Sequence, residues 1–358
     1  MYAVIMAGGK GTRFWPKSRE KMPKHLLDIV YEQTIIQETV ARIEPLVDPE
    51  NILIVTGQSH SEELMRQLPR IPKENILIEP VGRNTAPCIG LAALYVQHRS
   101  PDDVMVVLPA DHLIFDAPLF RHILSVAVEM ARRGDYLLTI GIKPTEPETG
   151  YGYLERGSLK TTIRDENIYE VQSIREKPDL KQAKAFLEKG GFYWNSGIFI
   201  WRADTILKAL QRWLPDLYEG LLQIKGVLGT DQEKDVIHRV YHSIKPISVD
   251  YGVMEKANNA LLIEGNFGWS DMGSWDALWD VTDKDERGNS TNVRGSFIGI
   301  DTRNSLIHSP RKLVAMVGVE DLIVVETEDA LLICRRGSSQ DVKKVVEMLQ
   351  AKDMKEYL

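Results

Sequence analysis

Apolar residues along the first 141 positions follow two alternating rhythms. Tyr2 to Met6, Asn51 to Thr56, Asn75 to Glu79, Val104 to Leu108 and Tyr136 to Ile140 are short β-rich runs that predict strands. Between them, Ile35 to Leu46, Ser61 to Leu68, Ala86 to His98 and Leu119 to Arg132 repeat apolar residues every three or four positions, which predicts amphipathic helices. Several strands are continuously apolar, as strands buried on both faces tend to be. The alternation predicts an α/β fold with a doubly wound, mostly parallel sheet, whose ligands bind beyond the carboxyl ends of its strands.

From about 150 to 280 the pattern is mixed. Asn167 to Ser173 and Gly197 to Trp201 read as strands, and Leu180 to Lys189 and Asp204 to Leu214 as helices, taken as insertions on the same sheet. The stretch Asp283 to Asn292 is polar and turn-rich, the composition of a boundary. We therefore expect a large domain over 1–285 and a small β-rich C-terminal domain over 286–358. The latter has closely spaced runs at Ser296 to Ile300, Ser305 to His308, Leu313 to Val317, Leu322 to Glu326 and Ala330 to Cys334, then a final helix from Ser338 to about Lys352. That spacing suits a small sheet or a few rungs of a β-helix equally.

The chain has 358 residues, and 44 Lys+Arg against 51 Asp+Glu give a net charge of −7, without the basic excess of a nucleic-acid binder. Two cysteines, Cys88 and Cys334, far apart and outside any C-x-x-C spacing, suggest neither a disulfide framework nor a zinc site. Both read as buried thiols in a reducing cytoplasm. The apolar N-terminal run is too short for a signal peptide, and no stretch approaches the roughly 20 apolar residues of a membrane helix. A cytoplasmic protein is expected, with no membrane or nucleic-acid partner.

Candidate chemistry concentrates where polar loops follow strands. After the first strand comes Ala7-Gly8-Gly9-Lys10-Gly11-Thr12-Arg13, continuing through Trp15-Pro16-Lys17-Ser18-Arg19 to Pro23-Lys24. Its glycines allow backbone N–H groups close to a phosphate chain, and Arg13 and Lys24 add charge at the two ends, so it reads as a triphosphate cradle. It is not a Walker A loop, because Lys10 precedes Gly11, nor a Rossmann fingerprint, because Phe14 replaces the last glycine. A bare Gly-Gly-x-Gly would be no more than a solvated basic turn.

This run resembles the signature of sugar-nucleotide pyrophosphorylases, in their mannose-1-phosphate guanylyltransferase branch, with Trp-Pro-x-Ser-Arg the branch-specific part. The resemblance extends in order through Glu79-Pro80-Val81-Gly82-Arg83-Asn84-Thr85-Ala86-Pro87, Pro109-Ala110-Asp111-His112, Gly150-Tyr151-Gly152-Tyr153, Glu176-Lys177-Pro178, Asn195-Ser196-Gly197, Asp250-Tyr251 and Trp269-Ser270-Asp271. It implies a Rossmann-like, GT-A-type nucleotidyltransferase that converts GTP and α-D-mannose 1-phosphate to GDP-mannose and pyrophosphate. It also implies Mg²⁺ on Asp111 and Asp271. A homodimer is expected from the resemblance alone.

On this reading Ala7, Gly8, Gly9, Gly11, Thr12, Arg13, Lys24, Glu79, Gly82, Asn84, Thr85 and Asp111 bind the nucleotide. Gly152, Glu176, Lys177, Asn195, Ser196, Gly197 and Asp250 bind the sugar phosphate. Arg13, Lys24, Asp111, Lys177 and Asp271 carry catalysis. Magnesium, a hard cation, needs one or two carboxylates beside substrate phosphates. A loop aspartate is otherwise a turn or helix cap. Lys177 is expected in extended backbone before Pro178, its alternative being an exposed surface lysine. Gly152 reads equally as a close-approach glycine or a β-turn, and Arg83 equally as a ligand contact or as the partner of a loop carboxylate.

The eight histidines are set aside as metal ligands, Trp275 and Trp279 read as core, and Cys88 sits in an apolar helix. Alternatives to the guanylyltransferase reading are a catalytically silent GDP-sugar-binding regulatory subunit, or a related pyrophosphorylase using another nucleotide or hexose 1-phosphate. A glycosyltransferase would need a D-x-D motif after a strand, whereas Asp283-Lys284-Asp285 lies in the polar linker. Longer relatives add a phosphomannose isomerase domain, and no isomerase activity is expected here.

Overall fold

The computed structural model describes residues 1–9, 11–30, 32–292 and 296–358, with only the backbone of Asn292; Lys10 of the glycine loop and 293–295 of the tail lie outside the described residues. The chain forms two compact units. One comprises Met1–Gly8, Val40–Ala110 and Ile114–Trp269, the other Gly9–Thr39, Asp111–Leu113 and Ser270–Leu358. The glycine loop thus leaves the first strand in one unit and enters the other at Gly9.

In chain order the strands up to the tail are β1 (Tyr2–Ala7), β2 (Ile52–Gly57), β3 (Ile76–Glu79), β4 (Val104–Pro109), β5 (Leu113–Ile114), β6 (Leu137–Ile142), β7 (Tyr153–Ile163), β8 (Glu166–Arg175), β9 (Phe192–Arg202), β10 (Ala260–Gly265) and β11 (Trp269–Ser270). The first unit holds a nine-stranded sheet in the order β3-β2-β1-β4-β9-β6-β10-β8-β7. Strand β1 runs parallel to β2 and β4, with Ile5 opposite Ile54 and Leu108. Strand β9 is antiparallel to β4 and β6, and β7 and β8 form an antiparallel hairpin. The expected mostly parallel sheet is therefore present, with antiparallel pairings made by β9 and by β8.

Val4, Leu53 and Val107 are buried in one core with Ile89, Leu91 and Leu94 of the helix Thr85–Arg99. That helix is apolar on nearly every face, as a helix enclosed by protein must be. The helix Ala117–Arg132 is instead amphipathic. Asp116 caps it by accepting from the Leu119 N–H at 2.9 Å, Pro118 occupies its first turn, and Phe120, Ile123 and Leu124 are buried. Each such side chain contributes about 1.5–3 kcal/mol.

The second unit contains the tail strands β12 (Ser290–Asn292), β13 (Phe297–Ile300), β14 (Leu306–His308), β15 (Val314–Val317), β16 (Leu322–Glu326) and β17 (Leu331–Arg335). Strands β12, β14 and β16 stack in parallel, Ser290 opposite Leu306 and Leu306 opposite Ile323, while β13 pairs in parallel with β15. Partners therefore recur every 16 or 17 residues, and the tail is a short β-helix rather than a simple meander. Strand β17 ends it by pairing antiparallel to β16, and the helix Val342–Ala351 follows. Ile307, Met316 and Val324 fill the coil. A larger core joins Phe14, Trp15, Leu27 and Ile29 to Trp275, Leu306, Ile323, Val342 and Val346. No described helix is long and apolar enough to cross a membrane.

Candidate active site

In the second unit, the residues after β1 make a single 3₁₀ turn, Thr12–Phe14. Gly11 precedes it at φ 61, and the Phe14 N–H and the Ser18 hydroxyl both donate to the Gly11 carbonyl, at 2.9 and 2.7 Å. A Cβ at Gly11 would lie 2.6 Å from Cβ of Lys24 and 2.9 Å from its backbone nitrogen, so only glycine lets the two ends of the loop close together. Thr12 is partly buried and Arg13 exposed, whereas Gly9 is open, with nothing within 4 Å of an added Cβ.

The stem of Lys24 is buried and its ammonium passes 5.6 Å from the Phe14 ring. It donates to Oδ2 of Asp111 at 2.9 Å and to the Asp271 carbonyl at 2.6 Å. Burial pushes the Asp111 carboxyl up, but Lys24, helped by His112 and His25, outweighs it and holds the group at about 2. Asp111 is thus an anion at any working pH. The Asp271 carboxylate accepts from the Gly273 N–H at 2.9 Å, and Arg13 donates to the Gly273 carbonyl at 3.2 Å. Arg13, Lys24, Asp111 and Asp271 therefore meet in one cluster. No group of three or more potential metal ligands occurs among the described residues. Two carboxylates that leave the remaining positions to phosphate oxygens and water fit a magnesium ion.

In the first unit, Ala7 ends β1 and a Cβ on Gly8 would lie 3.7 Å from Oε2 of Glu79. Glu79 ends β3, only 5% exposed, with no hydrogen-bond partner for Oε1 among the described residues. Burial, opposed by the neighbouring Tyr241 hydroxyl, raises its carboxyl to about 7. Gly82 is exposed. Asn84, at φ 70, caps the helix Thr85–Arg99 by accepting from the Thr85 N–H at 2.8 Å. The Thr85 hydroxyl accepts from Val249 at 2.8 Å, and Arg83 and Ala86 exchange backbone bonds with Ile247. Arg83 donates its guanidinium to the carbonyls of Tyr241 and His242, at 2.7 and 3.3 Å, so its partners are the open carbonyls of a helix end rather than a carboxylate.

These bonds bring the loop after β3 beside the short helix Val249–Gly252, which carries Asp250. Asn195, on β9, donates to Asp250 at 2.8 Å and accepts from Thr139 at 3.1 Å. Burial and then the charge of Glu176 raise Asp250 to about 6, against the Asn195 amide. Burial also raises Glu176, against the attraction of Lys177 3.5 Å away. The Glu176 carboxylate occupies the space that a Cβ on Gly152 would need. Gly197 is left-handed at φ 69, while the Ser196 hydroxyl is buried and donates to the Ile140 carbonyl at 2.7 Å. Lys177 stands at φ 49, left-handed rather than extended: Pro178 disfavours the right-handed helix but does not force a strand. Such a residue costs about 1–3 kcal/mol, a strain typical of functional positions.

Three neighbours carried no assignment from sequence. Glu255 accepts from the Glu176 N–H at 3.3 Å, Tyr241 lies beside Glu79, and Tyr151 sits edge-on to Trp194 and Trp269 with centroids 5.2 Å apart in each case. Only Tyr151 had a signal, its place between two motif glycines. The linker aspartate Asp285 accepts from the Arg287 and Asn289 N–H groups, a turn role that suits no D-x-D metal motif. Burial pushes the Cys88 thiol well up, away from nucleophilic use.

Residues 2–288 match the family model described as Nucleotidyl transferase, and 295–349 match that of the MannoseP isomerase/GMP-like beta-helix domain. A mannose-1-phosphate guanylyltransferase of Klebsiella pneumoniae is 42% identical over 99% of this chain and 75% of its own length. The chain belongs to the mannose-1-phosphate guanylyltransferase family. Another member, from Escherichia coli K12, is 40% identical over 100% of this chain and 75% of that one. A crystal structure from Thermus thermophilus, described as a mannose-1-phosphate geranyltransferase, superposes with a TM-score of 0.88 at 32% identity, covering 98% of this chain and 99% of that one. The chain is accordingly an enzyme of the nucleotidyltransferase class, a class that generally uses a divalent metal. A catalytically silent role is set aside with that membership.

Proposed function

We propose that the enzyme transfers GMP from GTP to an oxygen of α-D-mannose 1-phosphate, by in-line displacement at the α-phosphorus, and releases pyrophosphate. The observation that carries this reading is the cluster of Arg13, Lys24, Asp111 and Asp271, two cations and two carboxylates built on one glycine-hinged loop and its neighbours. The nucleophile is already an anion, so no general base or covalent intermediate is needed, and catalysis reduces to positioning and charge neutralisation.

Asp111 and Asp271 would hold Mg²⁺, which when bound supplies positive charge to the α-phosphate and sugar-phosphate oxygens. Arg13 and Lys24 stabilise the departing pyrophosphate, beside backbone amides of Gly9, Gly11 and Thr12. Lys177 fixes the attacking phosphate. Glu176, Asn195 and Asp250 meet the hexose hydroxyls, Gly152 and Gly197 admit the ring, and Ser196 contributes main chain. Glu79, whose buried Oε1 has no hydrogen-bond partner among the described residues, accepts from the guanine N1 and N2 donors, flanked by Ala7, Gly8, Gly82, Asn84 and Thr85. Two unpaired thiols suit a cytoplasmic setting, and a homodimer is the expected assembly.

The test is metal dependence. Pyrophosphate release from GTP and mannose 1-phosphate should vanish on chelation and return with Mg²⁺; turnover that persists after complete chelation would contradict the roles of Asp111 and Asp271.

A further inference from the structure

We propose that Trp15 and Arg19 are positioning residues that brace the Gly11–Lys24 loop on the C-terminal module, making that module part of the phosphate-handling apparatus. The proposal rests on the reading of this loop as the triphosphate site.

The residues that distinguish this loop from other glycine-rich cradles turn toward the tail. The Trp15 indole N–H donates to the Tyr357 carbonyl at 2.8 Å, and the Arg19 guanidinium donates to the same carbonyl. Arg19 also pairs with Asp329 at 2.8 Å, beyond β16, bonds the Pro16 carbonyl at 2.8 Å and lies over the Trp15 ring at 5.6 Å. Its side chain is only 15% exposed. With the Thr327 hydroxyl at 3.5 Å, one planar cation thus ties four backbone or side-chain oxygens together, a geometry a lysine does not reproduce. Trp15, Arg19, Val346 and Leu358 line a common gap.

The connection runs directly into the charge cluster. Ser18, next to Arg19, holds the Gly11 carbonyl, and Gly11 packs on Lys24. The opposite wall is tied to the tail as well. The Trp275 indole donates to the Trp15 carbonyl at 3.1 Å, and Asp276 accepts from the Gly337 and Ser339 N–H groups at 2.7 and 3.1 Å, ahead of the last long helix. Both segments flanking the Lys24 ammonium, one bearing Arg13 and the other Asp271, are therefore fixed on the module. Hydrogen bonds to charged groups of this kind set a loop's position, and small misplacements of a positioning loop lower turnover steeply.

Asp329 provides the test, because it touches Arg19 from the tail and has no part in the proposed substrate contacts. In the full-length enzyme, Arg19→Ala and Asp329→Ala should each lower kcat about fivefold, with the KM for mannose 1-phosphate unchanged within twofold. The double variant should fall no further than the weaker single one. Trp15→Phe, which keeps the ring and loses the donor, should move kcat the same way, and Arg19→Lys should recover little. Amide hydrogen exchange over residues 11–22 reports the brace without reference to turnover and should quicken in both alanine variants. An inactive Arg19→Ala beside a wild-type Asp329→Ala would overturn the proposal by making Arg19 a substrate contact. Unchanged exchange, or quickened exchange with unchanged kcat, would overturn it too. Wild-type protein that fails to turn over GTP while its loop exchange responds as expected would instead contradict the function proposed for the loop and leave the brace standing.

Discussion

The ammonium of Lys24 lies 2.9 Å from the carboxylate of Asp111. Lys24 is buried and Asp111 about one-third exposed, so the pair presents an anion to the solvent side while its cation is held from behind. Asp111→Asn should therefore leave Lys24 under-compensated, lowering stability on the order of 1–3 kcal/mol, and cut turnover more than a hundredfold. Asp271→Asn should cost turnover similarly, since it keeps the turn bond to Gly273. Circular dichroism and steady-state rates check this; activity within tenfold of wild type in either variant would remove the metal assignment.

The contact between Gly152 and Glu176 gives a second expectation. A methyl group at position 152 must displace the Glu176 carboxylate. Gly152→Ala should raise the KM for mannose 1-phosphate about tenfold and leave that for GTP within twofold. The reverse split would move this contact to the nucleotide side.

Glu79 and Asp111 differ in what pH does to them. Asp111, near 2, is ionised throughout the assay range. Glu79, near 7, changes from neutral acid to carboxylate acceptor as pH rises from about 6 to about 8. If it accepts from guanine, the KM for GTP should fall over that interval, and Glu79→Gln should flatten the profile. A wild-type profile that is already flat would take guanine reading away from Glu79.

Asp250 makes a stability prediction. Its folded-state value of about 6 exceeds the ordinary 3.8, so the unfolded chain ionises first, and folding stability falls as pH rises from about 4 to about 6 and stays lower above. Asp250→Asn keeps an acceptor for Asn195 and removes the charge. Its melting temperature should exceed that of wild type near pH ~8, the gap closing toward pH ~4. A gap independent of pH would mean that Asp250 carries no such penalty.

Much of the first unit was legible in sequence because each element stated itself locally. Continuous apolar runs such as Val104 to Leu108 fit buried strands. The sequence pattern marks β9 only from Gly197 onward, whereas the strand has eleven residues and begins with Phe192, Tyr193 and Trp194. The β-helix was ambiguous because its pairing skips a strand, and one-dimensional spacing does not say whether a run pairs with the next or the next but one. Partners separated by more than 300 positions, Trp15 with Tyr357 and Arg19 with Asp329, left no local trace. The Trp-Pro-x-Ser-Arg run was recognisable as a signature, but its role as an anchor emerged only from the fold. The neighbours of Ser196 give no sign that its hydroxyl donates to the Ile140 carbonyl.

The identity of the two substrates decides the function. Pyrophosphate release should be measured with Mg²⁺ for each nucleoside triphosphate in turn, with mannose 1-phosphate and then with glucose 1-phosphate. Turnover with GTP and mannose 1-phosphate that clearly exceeds every other pairing is the expected result. Equal or faster turnover with another nucleotide or with glucose 1-phosphate would contradict it.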